Sequence, residues 1–173
     1  HGFKHYLQSV RVVEFLEKKG EGLNLTFAVK NGIACHTNKV AATKEGNIVR
    51  LADTIAYINH DIEDSVRAGI LQKSDLPNDC VRILGNTKTK RITTLIASVI
   101  SHGTYDIDFE PEIRKAHDSL KAFMFERVYT NPAAKQEEAK AELLVKKLYS
   151  YYIENSNKLP DEYKSIMKKT DAD

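Results

Sequence analysis

The sequence predicts an all-α fold, an irregular multi-helix bundle. Apolar residues recur at spacings of three and four along most of the chain, the signature of helices with one buried face. Gly, Pro and Asn-rich breaks cut that pattern into helix-length pieces, and only one short stretch alternates with a period of two. At 173 residues, 42% of them hydrophobic, the chain is long enough to bury one core. One helical domain or fragment over 1–173 is expected, with a first group of helices in 1–71 and a C-terminal helical region in 72–173.

Taken in order, Leu7, Val10, Val13 and Leu16 give a helix over Tyr6 to Lys19 that stops at Gly20-Glu21-Gly22. A shorter helix spans Leu25 to Cys35, interrupted or ended at Asn31-Gly32, and a polar loop runs from Thr37 to Gly46. The long helix runs from about Asn47 to Leu71 on Leu51, Ile55, Ile58, Ile62, Val66 and Ile70. Ser74-Asp75-Leu76-Pro77 carries a helix-start signature ahead of a short helix over Cys80 to Leu84. A fourth helix over Thr89 to Ser101 has Ile92, Leu95, Ile96, Val99 and Ile100 in register. Tyr105, Ile107 and Phe109 alternate as a brief extended segment would, and Pro111 opens a helix reaching about Tyr129. Asn131-Pro132 breaks it, a long helix covers Ala133 to Asn155, and a tail helix runs from Pro160 to about Lys169, with Asp171 to Asp173 fraying.

Chemistry concentrates on the long helix. Asp53, Tyr57 and Asp61 stand four apart. At roughly 100° and 1.5 Å per residue, steps of four drift by only about 40°, which leaves one polar stripe roughly 12 Å long. Tyr57 and Asp61 lie about 100° from the neighbouring apolar positions, so the stripe borders the buried face, where a carboxylate needs a hydrogen bond, a partner or a metal. Three solvated polar residues on an amphipathic helix would have the same spacing. Residue identities separate the two readings.

Ala52-Asp53-x-Ile55-Ala56-Tyr57-x-x-x-Asp61-x-x-Asp64, continuing to Arg67-Ala68-Gly69-Ile70, resembles the late active-site helix of the dGTPase-like deoxynucleoside triphosphate triphosphohydrolases of the HD-domain superfamily. Gly2-Phe3-x-His5-x-x-Gln8-Ser9-x-Arg11-Val12-Val13-Glu14, followed by Gly22-Leu23-Asn24-Leu25-Thr26, is similar to that family's segment just after its HD core. A third match is Phe123-Met124-Phe125-Glu126-Arg127-Val128-Tyr129 with Leu148-Tyr149-x-Tyr151-Tyr152 and Leu159-Pro160-x-x-Tyr163. The three fall in the family's order and span nearly the whole chain.

The resemblance implies an enzyme that cleaves a dNTP into deoxynucleoside and tripolyphosphate at a divalent metal such as Mg2+ or Mn2+, held by a His, a His-Asp pair and a distant Asp. Asp53 matches the distant Asp ligand. Tyr57 matches a tyrosine lying against the phosphates and sugar, Asp61 an aspartate that bonds the sugar 3′-hydroxyl, and His5 a histidine facing the phosphates, where it can donate a proton or stabilise developing charge. These residue types suit those tasks: a hard oxygen for a cation, phenol and imidazole for phosphoryl oxygens, a carboxylate acceptor for a hydroxyl.

The family's first His and its His-Asp pair would lie upstream of His1. The one His-Asp doublet here, His60-Asp61, follows the Asp ligand and lacks the turn that accompanies the family's pair, so it is a decoy. The start at His1-Gly2-Phe3, without an initiator Met, agrees with a fragment, the C-terminal part of such an enzyme and inactive alone. The alternative function is a non-catalytic helical module that binds nucleotide or single-stranded nucleic acid or mediates oligomerisation. A near-neutral chain (net charge +2) without Trp makes the nucleic-acid case weak.

Lys88, Lys90 and Arg91 fall in the first turn of a predicted helix, where cations oppose the helix dipole. Solvated helix ends are the ordinary explanation for such a cluster. The other is an anion, for instance the phosphate of an activating nucleotide. Neither glycine-rich phosphate-loop pattern occurs, so phosphate handling falls to side chains and metal. Cys35 and Cys80 lack metal-ligand spacing and read as reduced core thiols. His36 reads as a capping or surface residue at a helix end, near the loop before the long helix and so able to approach substrate, His60 reads as a surface or packing residue, and His102 and His117 have no sequence partner. No apolar run reaches the roughly twenty residues of a membrane span, and a cytoplasmic homo-oligomer acting on dNTPs is expected.

Overall fold

Helix α4, Lys44–Arg67, is the longest described helix and carries the expected stripe. In the computed structural model, which describes residues 2–37 and 39–170, Leu51, Ile55, Ile58 and Ile62 are all buried, while Val66 and Ile70 pack at the edge of the same core. The helix ends earlier than Leu71 because Gly69 takes a φ of +71°, and the Ile70 N–H turns back to the Ser65 carbonyl at 2.9 Å. All regular elements among the described residues are helical. The fraying expected of Asp171 to Asp173 falls outside them.

Two compact units divide the chain: His1–Gly46 with Ala139–Asp173, and Asn47–Glu138. In the second unit the body of α4 is joined by α5 (Asn78–Leu84), α6 (Lys88–His102) and α7 (Pro111–Met124), the last continued by a π-helical turn over Phe125–Tyr129. The predicted start at Ser74-Asp75 is a single 3-10 turn, Lys73–Asp75, closed by the Asp75 carboxylate on the Gln72 N–H at 2.8 Å. Thr87 caps α6, its hydroxyl accepting from the Lys90 N–H at 3.2 Å. Leu84, Leu95, Leu120 and Met124 from these helices close over the α4 stripe with Cys80, whose thiol donates to the Ala116 carbonyl. Both cysteines are buried and free, as expected.

The alternation from Tyr105 to Phe109 does not form a strand. Residues 103–110 are irregular, and the Glu110 N–H bonds the Ser98 hydroxyl on α6 at 2.8 Å instead of a sheet neighbour. Ile107 and Phe109 are buried but Tyr105, at the same parity, is exposed, so the apolar alternation does not mark one buried face.

His117, for which the sequence supplied no partner, is a core residue on α7. Its ring stacks on Phe109 at 5.1 Å, Nδ1 lies 3.5 Å from the Asp118 carboxylate, and Nε2 is buried without a partner. Burial holds its pKa below the ordinary value near 6.5, against the pull of Asp118. The unfolded chain therefore takes up this proton at higher pH than the folded one. Stability contributed by neutral His117 is present above pH 6.5 and is lost as pH falls below it, by up to about 1.4 kcal/mol per pH unit. Urea midpoints at pH 7.5 and 5.5 should differ more for the native chain than for His117→Gln. Equal differences would place the proton uptake elsewhere.

In the first unit, α1 (His5–Arg11) passes into a π-helical stretch, Val12–Leu16, and then into α2 (Glu17–Gly20), where Lys18 and Lys19 have left-handed φ of 50° and 59°. The predicted helix thus loses regular form before Gly20. At Gly22, with φ +72°, a Cβ would stand 2.2 Å from the Glu14 carbonyl oxygen, so only glycine fits this return of the chain. Helix α3 (Phe27–Cys35) starts one residue after Thr26, its N-cap, and runs through Asn31-Gly32 without a break. Asn31 is held by the Ala42 N–H at 2.7 Å, and Gly32 meets the Cα of Gly46, a close approach that explains its glycine without a helix end. The remaining helices are α8 (Pro132–Glu154) and α9 (Asp161–Thr170), the latter reaching Gly20 through Ile166. Among the described residues no helix is long and apolar enough to cross a membrane.

Candidate functional site

The second unit places Asp53, Tyr57 and Asp61 on successive turns of α4, as their spacing requires. Asp53 is exposed, while Tyr57 and Asp61 are half-buried at the margin of the core. Asp61 bonds Tyr129, whose hydroxyl donates to Oδ2 across 68 residues of sequence. Burial first, then this bond and the Asp61 charge, push the Tyr129 hydroxyl well above the usual tyrosine range, and the nearby Tyr57 hydroxyl pushes the same way. Tyr129 closes the π-helical turn, in which the Thr130 N–H reaches the Phe125 carbonyl; such wide turns recur at functional sites. The sequence signal for Tyr129 was its place in the Phe123–Tyr129 match, which carried no role.

Behind the stripe, Asn59 and Arg91 form a buried pair. The Arg91 Nε donates to Asn59 Oδ1 at 2.9 Å, and the Asn59 amide donates to the Ile55 carbonyl at 2.8 Å. Arg91 therefore turns inward and does not present its guanidinium to an outside anion, which corrects the reading of Lys88, Lys90 and Arg91 as one cluster. Burial lowers the Arg91 pKa, opposed by Glu63. Lys90 lines an open cleft of about 540 Å3 with Arg82, Asn86 and Thr89.

His5 belongs to the first unit. It is exposed, its Nε2 lies 3.1 Å from the Thr37 hydroxyl, and its ring meets that of His36 edge-on at 5.1 Å. His36 in turn bonds the Ile33 carbonyl through Nδ1 at 2.6 Å, the capping role its helix-end position suggested. His60 is exposed on α4.

Residues 107–173 match the Phosphohydrolase-associated domain. A deoxyguanosinetriphosphate triphosphohydrolase-like protein of Clostridium tetani is 42% identical over 182 residues, covering 97% of this chain and 52% of the relative. One from Caldanaerobacter subterraneus subsp. tengcongensis is 46% identical over 165 residues, 94% of this chain and 49% of that protein. One from Clostridium perfringens is 43% identical over 177 residues, covering 95% and 52%. The chain belongs to the dGTPase-like proteins of the HD-domain superfamily. It spans about half the length of the curated relatives it matches. The all-α architecture agrees with that membership, and Asp53, Tyr57, Asp61 and Tyr129 share one unit of this dGTPase-like chain.

The Asp53 carboxylate has no hydrogen bond or ion pair among the described residues, and no group of three potential metal ligands occurs among them. An open, exposed carboxylate fits one position in the shell of a divalent cation whose other donors come from elsewhere.

Proposed function

We propose that the full-length protein is a metal-dependent dNTP triphosphohydrolase and that this chain supplies one metal ligand and the sugar side of its nucleotide site. The carrying observation is the run of an exposed Asp53 with Tyr57 and Asp61 at the core margin, on successive turns of one helix of a chain 42–46% identical to proteins named dGTPase-like. When bound through Asp53 and donors outside this chain, a divalent cation such as Mg2+ or Mn2+ would polarise the phosphoryl oxygens and acidify the attacking water.

The chain's own residues bind and orient. Asp61 accepts a hydrogen bond from the sugar 3′-hydroxyl, Tyr57 lies along the sugar and phosphates, and the departing 5′-oxygen of the nucleoside takes up the proton that the attacking water gives up. Water oxygen joins the α-phosphorus as the bond to that 5′-oxygen breaks, which yields deoxynucleoside and tripolyphosphate. Alone, the chain offers one carboxylate, too few donors to hold a divalent ion tightly, and it is inactive.

Tripolyphosphate release from each dNTP, singly and in mixtures, with Mg2+ or Mn2+, tests this on the full-length protein and on the chain alone. Activity in the full-length protein only is the expected result. Inactivity of the full-length protein under every condition would overturn it, and activity of the isolated chain would overturn the assignment of the missing ligands.

A further inference from the structure

The geometry points to Tyr129 as a positioning residue for Asp61: its hydroxyl fixes one carboxylate oxygen and leaves the other open to accept a sugar hydroxyl. This rests on the proposed role of Asp61 and names the residue that sharpens it. Asp61 on α4 is half-buried, and among the described residues Tyr129 is the partner of its carboxylate, through Oδ2. Oδ1 has no partner among them. The main-chain carbonyl of Asp61 is already taken by the Ser65 hydroxyl at 2.6 Å, so the free acceptor at this position is the side-chain oxygen.

A carboxylate at the end of two rotatable bonds samples several orientations, and ordering it opposes binding of any ligand that needs one of them. A phenol anchored in the fold removes that cost before the ligand arrives. Tyr129 suits the task because it is itself held: its residue is half-buried, its backbone lies in the π-helical turn, and its ring meets Phe125 edge-on at 6.5 Å. Tyr57 stands one turn before Asp61 on the same helix, and its hydroxyl acts electrostatically on that of Tyr129. A carboxylate oxygen can only accept, so the open side of Asp61 selects a hydroxyl donor and rejects a sugar lacking one.

Two measurements separate this inference from the reading it rests on. In the full-length protein, calorimetry gives the affinities for dGTP and for 2′,3′-dideoxy-GTP, which lacks the 3′-hydroxyl, and needs no turnover. Tyr129→Phe should weaken dGTP binding by about tenfold, the size of one charge-assisted hydrogen bond, and leave the dideoxy affinity unchanged. Equal weakening of both ligands would reduce Tyr129 to a structural residue and overturn the inference. Equal affinities of the native protein for the two nucleotides, or no binding of either, would remove the sugar role of Asp61 and with it the reading beneath.

The pair itself is tested in this chain without nucleotide, by 13C-tyrosine NMR with the Tyr129 signal assigned through its Phe variant. The Tyr129 hydroxyl should stay protonated past the ordinary tyrosine range near 10, and Asp61→Asn should bring it part of the way back. A Tyr129 signal indifferent to Asp61→Asn would show the two residues uncoupled and overturn the inference.

Discussion

Replacing Asp53 by Ala in the full-length protein is expected to lower tripolyphosphate release about a thousandfold or more, with folding intact. The magnitude follows from what a metal contributes: several kcal/mol of charge stabilisation in the transition state, at a factor of ten for each 1.36 kcal/mol. Folding should survive because Asp53 is exposed on α4, points away from the Leu51, Ile55, Ile58 stripe and has no hydrogen-bond or ion-pair partner among the described residues. A surface position with no contact to lose falls within about 0.5 kcal/mol of native stability. The check is therefore double: tripolyphosphate release collapses while the urea midpoint holds. Titration with Mn2+ adds a reading independent of turnover, since loss of one ligand weakens the ion's hold. Full activity in the variant would refute the ligand assignment.

The placement of Asp53 on successive turns with Tyr57 and Asp61 was legible in the sequence because that signal is local. Their spacing lies within three turns of one helix, and helical geometry alone decides that the three share a face. The buried stripe of α4 and the Pro and Gly breaks were legible for the same reason. The failures are long-range. Gly32 looked like a helix breaker because a sequence does not show Gly46 packed against it, and the alternation around Ile107 looked like a strand because the partner of that segment is the Ser98 hydroxyl on a helix. Tyr129 meets Asp61 across 68 residues, and no period connects them. His117 became a core residue only when Phe109, in an irregular loop, folded back on its ring.

Arg91 shows the same limit with the greatest energetic consequence, and Asn59→Ala is expected to destabilise the protein by about 3 kcal/mol. Asn59 stands four residues after Ile55 and three before Ile62, a core register on α4 that a polar side chain can occupy only with partners. Its amide oxygen accepts a hydrogen bond from the Arg91 Nε at 2.9 Å, and Nη2 of the same guanidinium is already buried without a partner. Removing Asn59 would leave a charged group, 3% exposed, with neither water nor an acceptor at Nε. The cost is that of an unpaired buried charge on top of the lost contact, which exceeds the cost of the small cavity. A double variant, Asn59→Leu with Arg91→Met, removes both polar partners and should recover most of the loss, because a buried polar pair gains little over apolar groups of similar volume. Urea denaturation of the two single variants and the double variant gives the coupling directly. Additive losses would mean that the pair does not act as a unit. A strongly coupled pair would mean that the helix carrying Asp53, Tyr57 and Asp61 is anchored to α6 through a guanidinium that the sequence presented as a surface cation.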